Sequence, residues 1–110
     1  WYSPAVYAQR PEVRVKRMSN ADTEITRIAE PVIYANENRV DVHYTIFVRN
    51  VQSGEVQTFS ETHPMRHFSL PEIELLAQVT GFECVACEEF LTGKQASENS
   101  WGVCFVLRKV

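Results

Sequence analysis

Residues 39–49, with the sequence RVDVHYTIFVR, carry the strongest structural signal in this chain. One set of alternate positions is apolar: Val40, Val42, Tyr44, Ile46 and Val48. The other set is polar, with Phe47 as the exception. Alternation with a period of two predicts a long antiparallel strand that buries one face.

The stretches on both sides of this strand predict further strands of the same sheet. Residues 12–18 alternate between apolar and charged side chains, and residues 23–30 are rich in β-branched side chains. The loop at 50–54 has a common hairpin length, so residues 55–63 return as the partner strand. These patterns predict an antiparallel meander of three or four strands, preceded by a loop or a short turn of helix.

A helix is expected to begin at Ser69. Ser69 and Glu72 have the spacing of a capping box, in which the hydroxyl and the carboxylate each accept a hydrogen bond from a free backbone N–H. The apolar positions that predict a buried face, centred on Leu76, are Ile73, Leu76 and Val79. Gly81 supplies the left-handed residue that ends such a helix.

Two strands follow the predicted helix. Residues 82–88 read as one strand, and residues 101–109 are nearly continuously apolar, which predicts a final strand buried on both faces. The predicted fold class is therefore α+β, with the antiparallel meander first, then one helix and a two-stranded C-terminal hairpin.

Composition narrows the classes of function. A chain of 110 residues allows one domain or a piece of a larger one. A net charge of -3 argues against a broad basic face for nucleic acid. No apolar run approaches the ~20 residues that cross a bilayer, so no membrane role is expected.

The cysteines predict neither a metal site nor a disulfide framework. Cys84 and Cys87 have CxxC spacing, but no second pair exists in the chain. In a strand, side chains three residues apart point to opposite faces, so the two thiols are not expected to meet one metal. We interpret them as small buried hydrophobic residues of a reduced, cytoplasmic protein.

A family resemblance lies between residues 63 and 82. The residues that carry it are Arg66, Phe68, Ser69, Glu72, Ile73, Leu75, Leu76 and the pair Gly81-Phe82. They resemble the C-terminal part of class I S-adenosylmethionine (SAM)-dependent methyltransferases, in which R-x-F/Y-S/T-x-x-E-I-x-x-L-L ends in a G-F pair. The spacing to the leucine pair is one residue shorter here. The opening residues and the Arg108-Lys109 ending also fit, so the resemblance covers essentially the whole chain.

The resemblance implies that two parts of the chain have different places in a Rossmann-like fold. Residues 1–68 would form the inserted lid strands, and residues 69–110 the helix and two terminal strands of the methyltransferase sheet. SAM would be the cofactor of the full-length parent, which would methylate a small molecule. The Gly-rich turn of the cofactor half is missing from this sequence. The chain is therefore expected to be a C-terminal piece that neither binds SAM nor acts alone.

Six side chains are candidates for contact with the substrate: Tyr2, Tyr7, His43, His63, Arg66 and His67. An imidazole titrates near neutral pH and can accept a proton from an amine or a hydroxyl. The alternative for Arg66 and the histidines is a role in helix entry or on a solvated surface. The tyrosines would then cover one end of the sheet. No residue is assigned a catalytic role.

The same resemblance predicts that the chain binds a second copy of itself. The final strand would pair on its outer side with a strand that this chain lacks, so we expect a homo-oligomer joined through the exposed sheet edge. Two hypotheses for function remain. One is the substrate-side piece of a small-molecule methyltransferase, and the other is a stand-alone α+β module that binds a small ligand without catalysis.

Overall fold

A computed structural model describes residues 1–110. The chain forms two compact units: Pro11–Met65 is one, and Trp1–Arg10 together with Arg66–Val110 is the other. This division differs from the predicted boundary after residue 68, because the N-terminal segment groups with the C-terminal part. Neither helix has the length and apolar character that crossing a bilayer requires.

The unit Pro11–Met65 holds a four-stranded antiparallel sheet in the order β1-β2-β3-β4. The strands are β1 (Arg14–Ser19), β2 (Thr23–Tyr34), β3 (Arg39–Asn50) and β4 (Val56–Arg66, which ends one residue beyond the unit). The predicted meander is confirmed in its four-stranded form. Val40 and Val42 are the buried residues of β3, on the face that the alternation predicts.

Strand β2 continues past residue 30, where the sequence predicted its end. Pro31 lies within it and pairs with Val42 of β3. The carbonyl of Thr23 accepts a hydrogen bond from the N–H of Asn20, so the backbone groups of Thr23 point toward β1. The direction of the backbone groups alternates along a strand, so the nitrogen of Pro31 also points toward β1. The pairing with β1 stops at Ala29, so Pro31 needs no N–H there.

The other unit contains both helices and a two-stranded antiparallel sheet. Its elements are α1 (Ser3–Gln9), α2 (Leu70–Val79), β5 (Phe82–Glu89) and β6 (Val103–Lys109). The N-terminal segment is therefore a short helix rather than a loop. Gly81 has a φ of 85°, as predicted for the residue that follows α2.

The predicted capping box at α2 is wrong. Ser69 occupies the N-cap in an extended conformation, but its side chain makes no capping hydrogen bond. The carboxylate of Glu72 pairs with Arg66 instead of reaching back to the N-cap. A guanidinium within reach offers this carboxylate a charged partner, which competes with the neutral backbone N–H.

The predicted apolar face of α2 is also wrong for this chain. Leu76 is 45% exposed and Val79 is 70% exposed, whereas Ala77 is 2% exposed. The helix packs on β5, and the small Ala77 allows the close approach. Strand β6 likewise is not buried on both faces, because Val106 and Leu107 are exposed. A two-layer unit has no third layer to cover these residues.

A β-bulge in β5 changes the expected orientation of the cysteines. Cys84 pairs with Leu107 and Cys87 pairs with Phe105, with a register shift between Cys84 and Ala86. Leu107 and Phe105 are two residues apart, so they share a face, and the two cysteines share it too. The prediction of opposite faces was wrong. Even so, no three His, Cys, Asp or Glu side chains are placed to hold a metal ion.

Candidate functional site

The first residues of the chain are joined to the segment that leads into α2. Tyr2 and Phe68 form a parallel bridge. The N–H of Ser3 donates to the Phe68 carbonyl at 2.8 Å, and the N–H of Phe68 donates to the Trp1 carbonyl at 3.0 Å. This pairing brings four of the six predicted site residues, Tyr2, Tyr7, Arg66 and His67, into the same unit.

His67 lies at the centre of this arrangement and is 0% exposed. Its Nδ1 is 2.6 Å from the hydroxyl of Ser3, and the edge of its ring meets the Tyr7 ring at a centroid distance of 5.2 Å. Its Nε2 is buried without a hydrogen-bond partner. Burial, followed by the nearby ammonium of Trp1, lowers the pKa of His67. The imidazole is therefore held neutral, with one nitrogen unused.

Tyr2 is also an internal residue. It is 7% exposed, and its ring packs against Phe105 at a centroid distance of 6.2 Å. Burial, followed by the nearby thiol of Cys87, raises the pKa of Tyr2, and burial likewise raises the pKa of Cys87. Tyr2 and His67 therefore support the site from beneath, and neither has a surface that a ligand could touch in this arrangement.

The solvent-facing part of this cluster is aromatic. The rings of Trp1 and Trp101 meet edge to face, with centroids 5.3 Å apart. The indole N–H of Trp101 donates to the side-chain oxygen of Gln9 at 2.9 Å, which fixes the orientation of that ring. Tyr7 is 45% exposed beside the buried His67. We call Trp1 and Trp101 the aromatic cluster. Flat rings with polar tips suit a small ligand that is partly apolar.

Arg66 lies at the entrance to α2 and has two partners. Its guanidinium stacks over the Phe68 ring, 4.5 Å from the centroid, and forms an ion pair with Glu72. Half of its side chain remains exposed. The stacking and the ion pair together hold a positive group in one orientation at the surface.

The two remaining candidates, His43 and His63, do not meet. The Nδ1 of His43 lies 2.9 Å from the hydroxyl of Thr62, whereas the ring of His63 meets that of Tyr44 at 5.0 Å. His43 and Tyr44 are consecutive in β3 and point to opposite faces of the sheet. The two histidines therefore lie on opposite faces and cannot act on one ligand within this unit.

Sequence reasoning missed Ser3, Gln9 and Trp101 as parts of the site. Trp101 was interpreted as the first residue of a buried strand, but β6 begins at Val103. The signal that could have indicated this site is the presence of the two tryptophans of the chain, Trp1 and Trp101. The contact between residues 100 positions apart could not be predicted from local patterns.

The glycines do not form a cradle for a cofactor. Gly54, Gly81 and Gly93 have positive φ values and nothing within 4 Å of an added Cβ, as expected for turn residues. Gly102 precedes β6 and faces the Cβ of Phe90 at 3.5 Å. None of them lies between a strand and the start of a helix, where a Gly-rich turn would approach a nucleotide.

Comparison with known proteins places this fold. No family model matches the chain, and no curated protein is significantly similar to it in sequence. Solved structures do match. A SAM-dependent methyltransferase from Clostridium acetobutylicum superposes with a TM-score of 0.72 at 13% identity, over 98% of this chain and 42% of its own.

Two further structures have the same kind of match. CalS10, an amino pentose methyltransferase from Micromonospora echinaspora solved with SAM bound, has a TM-score of 0.69 at 15% identity, over 100% of this chain and 41% of its own. KedS8, a sugar N-methyltransferase from Streptoalloteichus, has a TM-score of 0.62 at 13% identity, over 91% of this chain and 37% of its own.

These matches define the class of fold. The chain has the fold of part of a SAM-dependent methyltransferase, which confirms at the level of the fold the resemblance seen between residues 63 and 82. It spans about two fifths of the length of the solved structures that it matches.

Proposed function

We propose that this chain is the acceptor-side part of a SAM-dependent methyltransferase that modifies a small molecule. The observation that carries the proposal is the superposition of nearly the whole chain on about two fifths of such enzymes. When bound, SAM supplies a methyl group on a positively charged sulfur. The glycines of this chain do not suit that cofactor, so another part of the enzyme would bind it.

The names of the matched structures support an amino sugar as the acceptor. One acts on an amino pentose and another is a sugar N-methyltransferase. The aromatic cluster fits this chemistry, because flat rings cover the C–H surface of a sugar.

The buried pair of Ser3 and His67 would position α1, and with it the Gln9 side chain that orients Trp101, rather than touch the acceptor. His67 packs against the ring of Tyr7 and bonds to Ser3 in α1. Arg66 lies at the entrance to α2 and would meet hydroxyl oxygens of the acceptor, since it presents several N–H donors in a fixed plane.

Intrinsic fluorescence tests this proposal directly. Both tryptophans of the chain belong to the aromatic cluster, so any change in tryptophan emission reports on this surface. Titration with an amino sugar is expected to change the emission saturably, and the same sugar without its amino group is expected to bind more weakly. Gln9→Ala, which removes the hydrogen bond that orients Trp101, should weaken the response. His43→Ala, on a strand of the other unit, is the matched control.

A calorimetric titration with SAM completes the test. The chain alone is expected to show no saturable heat, because the cofactor-binding residues would lie elsewhere. Saturable SAM binding would contradict the assignment as an acceptor-side part. Amino-sugar binding that is unchanged by Gln9→Ala would place the ligand away from the aromatic cluster.

A further inference from the structure

The bulge in β5 brings two thiols onto one face of the sheet. Cys84 and Cys87 pair with Leu107 and Phe105, which are two residues apart in β6. Two residues of a strand span about 6.6 Å, so the Cα atoms of the two cysteines are separated by roughly this distance. A disulfide joins Cα atoms that are up to about 6.8 Å apart, so this pair lies near the upper end of the range.

The thiol of Cys84 is directed along the strand toward Cys87. It donates to the carbonyl of Ala86, with Sγ and the oxygen 3.4 Å apart, and Ala86 is the residue just before Cys87. Both cysteines are half-buried free thiols. In a regular strand, the CxxC spacing would place them on opposite faces. The bulge therefore creates the pair.

The two thiols have different surroundings. Cys84 lines a cavity of about 480 Å³ beside Glu74 and Gln78 of α2, which offers a small reagent a way in. Cys87 lies beside Tyr2. Burial raises the pKa of Cys87, while Tyr2 opposes this rise and Cys84 adds to it. Because the reactive form of a thiol is the thiolate, we expect Cys84 to meet the reagent first.

Tyr2 connects the two thiols to the aromatic cluster. Its ring packs against Phe105, and its hydroxyl lies near the thiol of Cys87. Its N–H donates to the carbonyl of Trp101 at 3.1 Å, and Trp1 precedes it in the chain. A change in bonding at Cys87 therefore acts on a residue that is attached to both tryptophans.

We propose that Cys84 and Cys87 form a reversible disulfide that acts as a redox switch on Tyr2. The new bond draws the sulfur of Cys87 toward Cys84 and away from Tyr2, which alters the setting of the aromatic cluster. The oxidant is a small disulfide of the glutathione class. All of these residues belong to one unit of the chain, and the switch does not depend on the proposed acceptor.

The reaction is a thiol–disulfide exchange in two steps. The Cys84 thiolate attacks one sulfur of the small disulfide, so a mixed disulfide forms and a thiolate leaves. Cys87 then gives its proton to solvent, and its sulfur attacks the sulfur of Cys84, which releases the second thiolate. The two cysteines lose two electrons, and the small disulfide gains them. An excess of a dithiol reverses the reaction.

Peptide mapping of the wild-type chain tests the pairing. After treatment with oxidised glutathione, the folded chain should contain a disulfide between Cys84 and Cys87. Cys104 lies opposite Glu88, on the other face of the sheet, and should not join a disulfide within the chain. The same treatment in urea is the control and should also give pairs that include Cys104. Identical pairing in both conditions would mean that proximity in the sequence, and not the bulge, selects the pair.

Tryptophan emission tests the effect on Tyr2. In Cys104→Ser, oxidised glutathione should lower the mass by two hydrogen atoms and change the emission, and dithiothreitol should reverse both changes. The matched control adds Cys84→Ser to this variant, cannot form the disulfide, and should keep its emission.

A further variant tests the second step of the exchange. Cys87→Ser with Cys104→Ser should hold a lasting glutathione adduct on Cys84, because no second thiol releases it. A lasting adduct on Cys84 of the wild-type chain, a disulfide to Cys104 in the folded chain, or oxidation without a change in tryptophan emission would overturn the proposal.

Discussion

The hydroxyl of Ser3 lies 2.6 Å from Nδ1 of His67, and this buried contact joins α1 to the segment that begins α2. The two residues are far apart in the sequence, and the imidazole has no exposed surface. Since Nε2 has no partner, Ser3 supplies the hydrogen bond that this buried ring makes. The docking of α1 therefore depends on one short polar contact and on the packing around it.

Ser3→Ala should destabilise the chain by about 1–3 kcal/mol, because it leaves both nitrogens of a buried imidazole without a partner. Urea unfolding followed by circular dichroism measures this. Ser60→Ala is the matched control, since Ser60 is exposed in β4, and it should change stability by less than about 0.5 kcal/mol. Equal effects of the two changes would mean that the Ser3 contact is not maintained in solution.

Protonation of His67 should destabilise the fold. Burial lowers its pKa in the folded chain from the ordinary value of 6.5, so the unfolded chain binds the extra proton more readily. The contribution of the neutral His67 to the free energy of unfolding should therefore be complete above about pH 7, and it should fall as the pH drops below about 6.5. Urea unfolding at a series of pH values measures the slope.

The pH experiment has two controls. His67→Gln lacks the titrating group and should lose much of the slope between about pH 7 and pH 5. His43→Gln removes an exposed imidazole and should retain the wild-type pH dependence. A slope that persists in His67→Gln would assign the effect to other groups.

Local patterns predicted the order of elements but not the long-range contacts. The alternation of apolar and polar residues at 39–49 was sufficient to predict β3, because one face of this strand is more deeply buried than the other. The pattern around Cys84 could not indicate a bulge, since an extra residue is visible only against the partner strand. The predicted strand ended at residue 30, because the sequence does not show that β1 stops pairing at Ala29 and so leaves room for Pro31 within β2.

The site was harder to predict for the same reason. His67 was selected for its chemistry, but its burial depends on Ser3 and Tyr7 of α1, which local periodicity does not connect to α2. His43 and His63 were each selected for the chemistry of the imidazole, and local patterns could not show that they lie on opposite faces of the sheet. Registers between strands decide such questions, and they are set by tertiary pairing.

The two ends of α2 should contribute unequally to stability. The hydroxyl of Thr80 donates to the carbonyls of Leu76 and Ala77 at 2.7 and 3.1 Å, whereas the Ser69 side chain makes no capping bond. Thr80→Val should cost about 0.5–1.5 kcal/mol, and Ser69→Ala should cost less than about 0.5 kcal/mol. Urea unfolding compares the two variants. A larger loss of stability in Ser69→Ala than in Thr80→Val would mean that the Ser69 side chain caps the helix in solution.

The last prediction concerns two like charges in the four-stranded sheet. Lys16 of β1 lies directly opposite Arg27 of β2, and like charges facing each other across strands are unfavourable. Lys16→Glu should convert this repulsion into attraction and raise the free energy of unfolding by up to about 1 kcal/mol. The gain should shrink in high salt, because both side chains contact solvent.

Two controls separate this pair from a general change in net charge. Lys16→Gln removes the repulsion without adding an attraction and should have an intermediate effect. Arg17→Glu changes the net charge equally, but Arg17 faces Thr26 on the other side of the sheet. It should therefore give little or no gain, since no cation lies opposite. Equal stabilisation by Lys16→Glu and Arg17→Glu would show that net charge, and not the cross-strand pair, determines the effect.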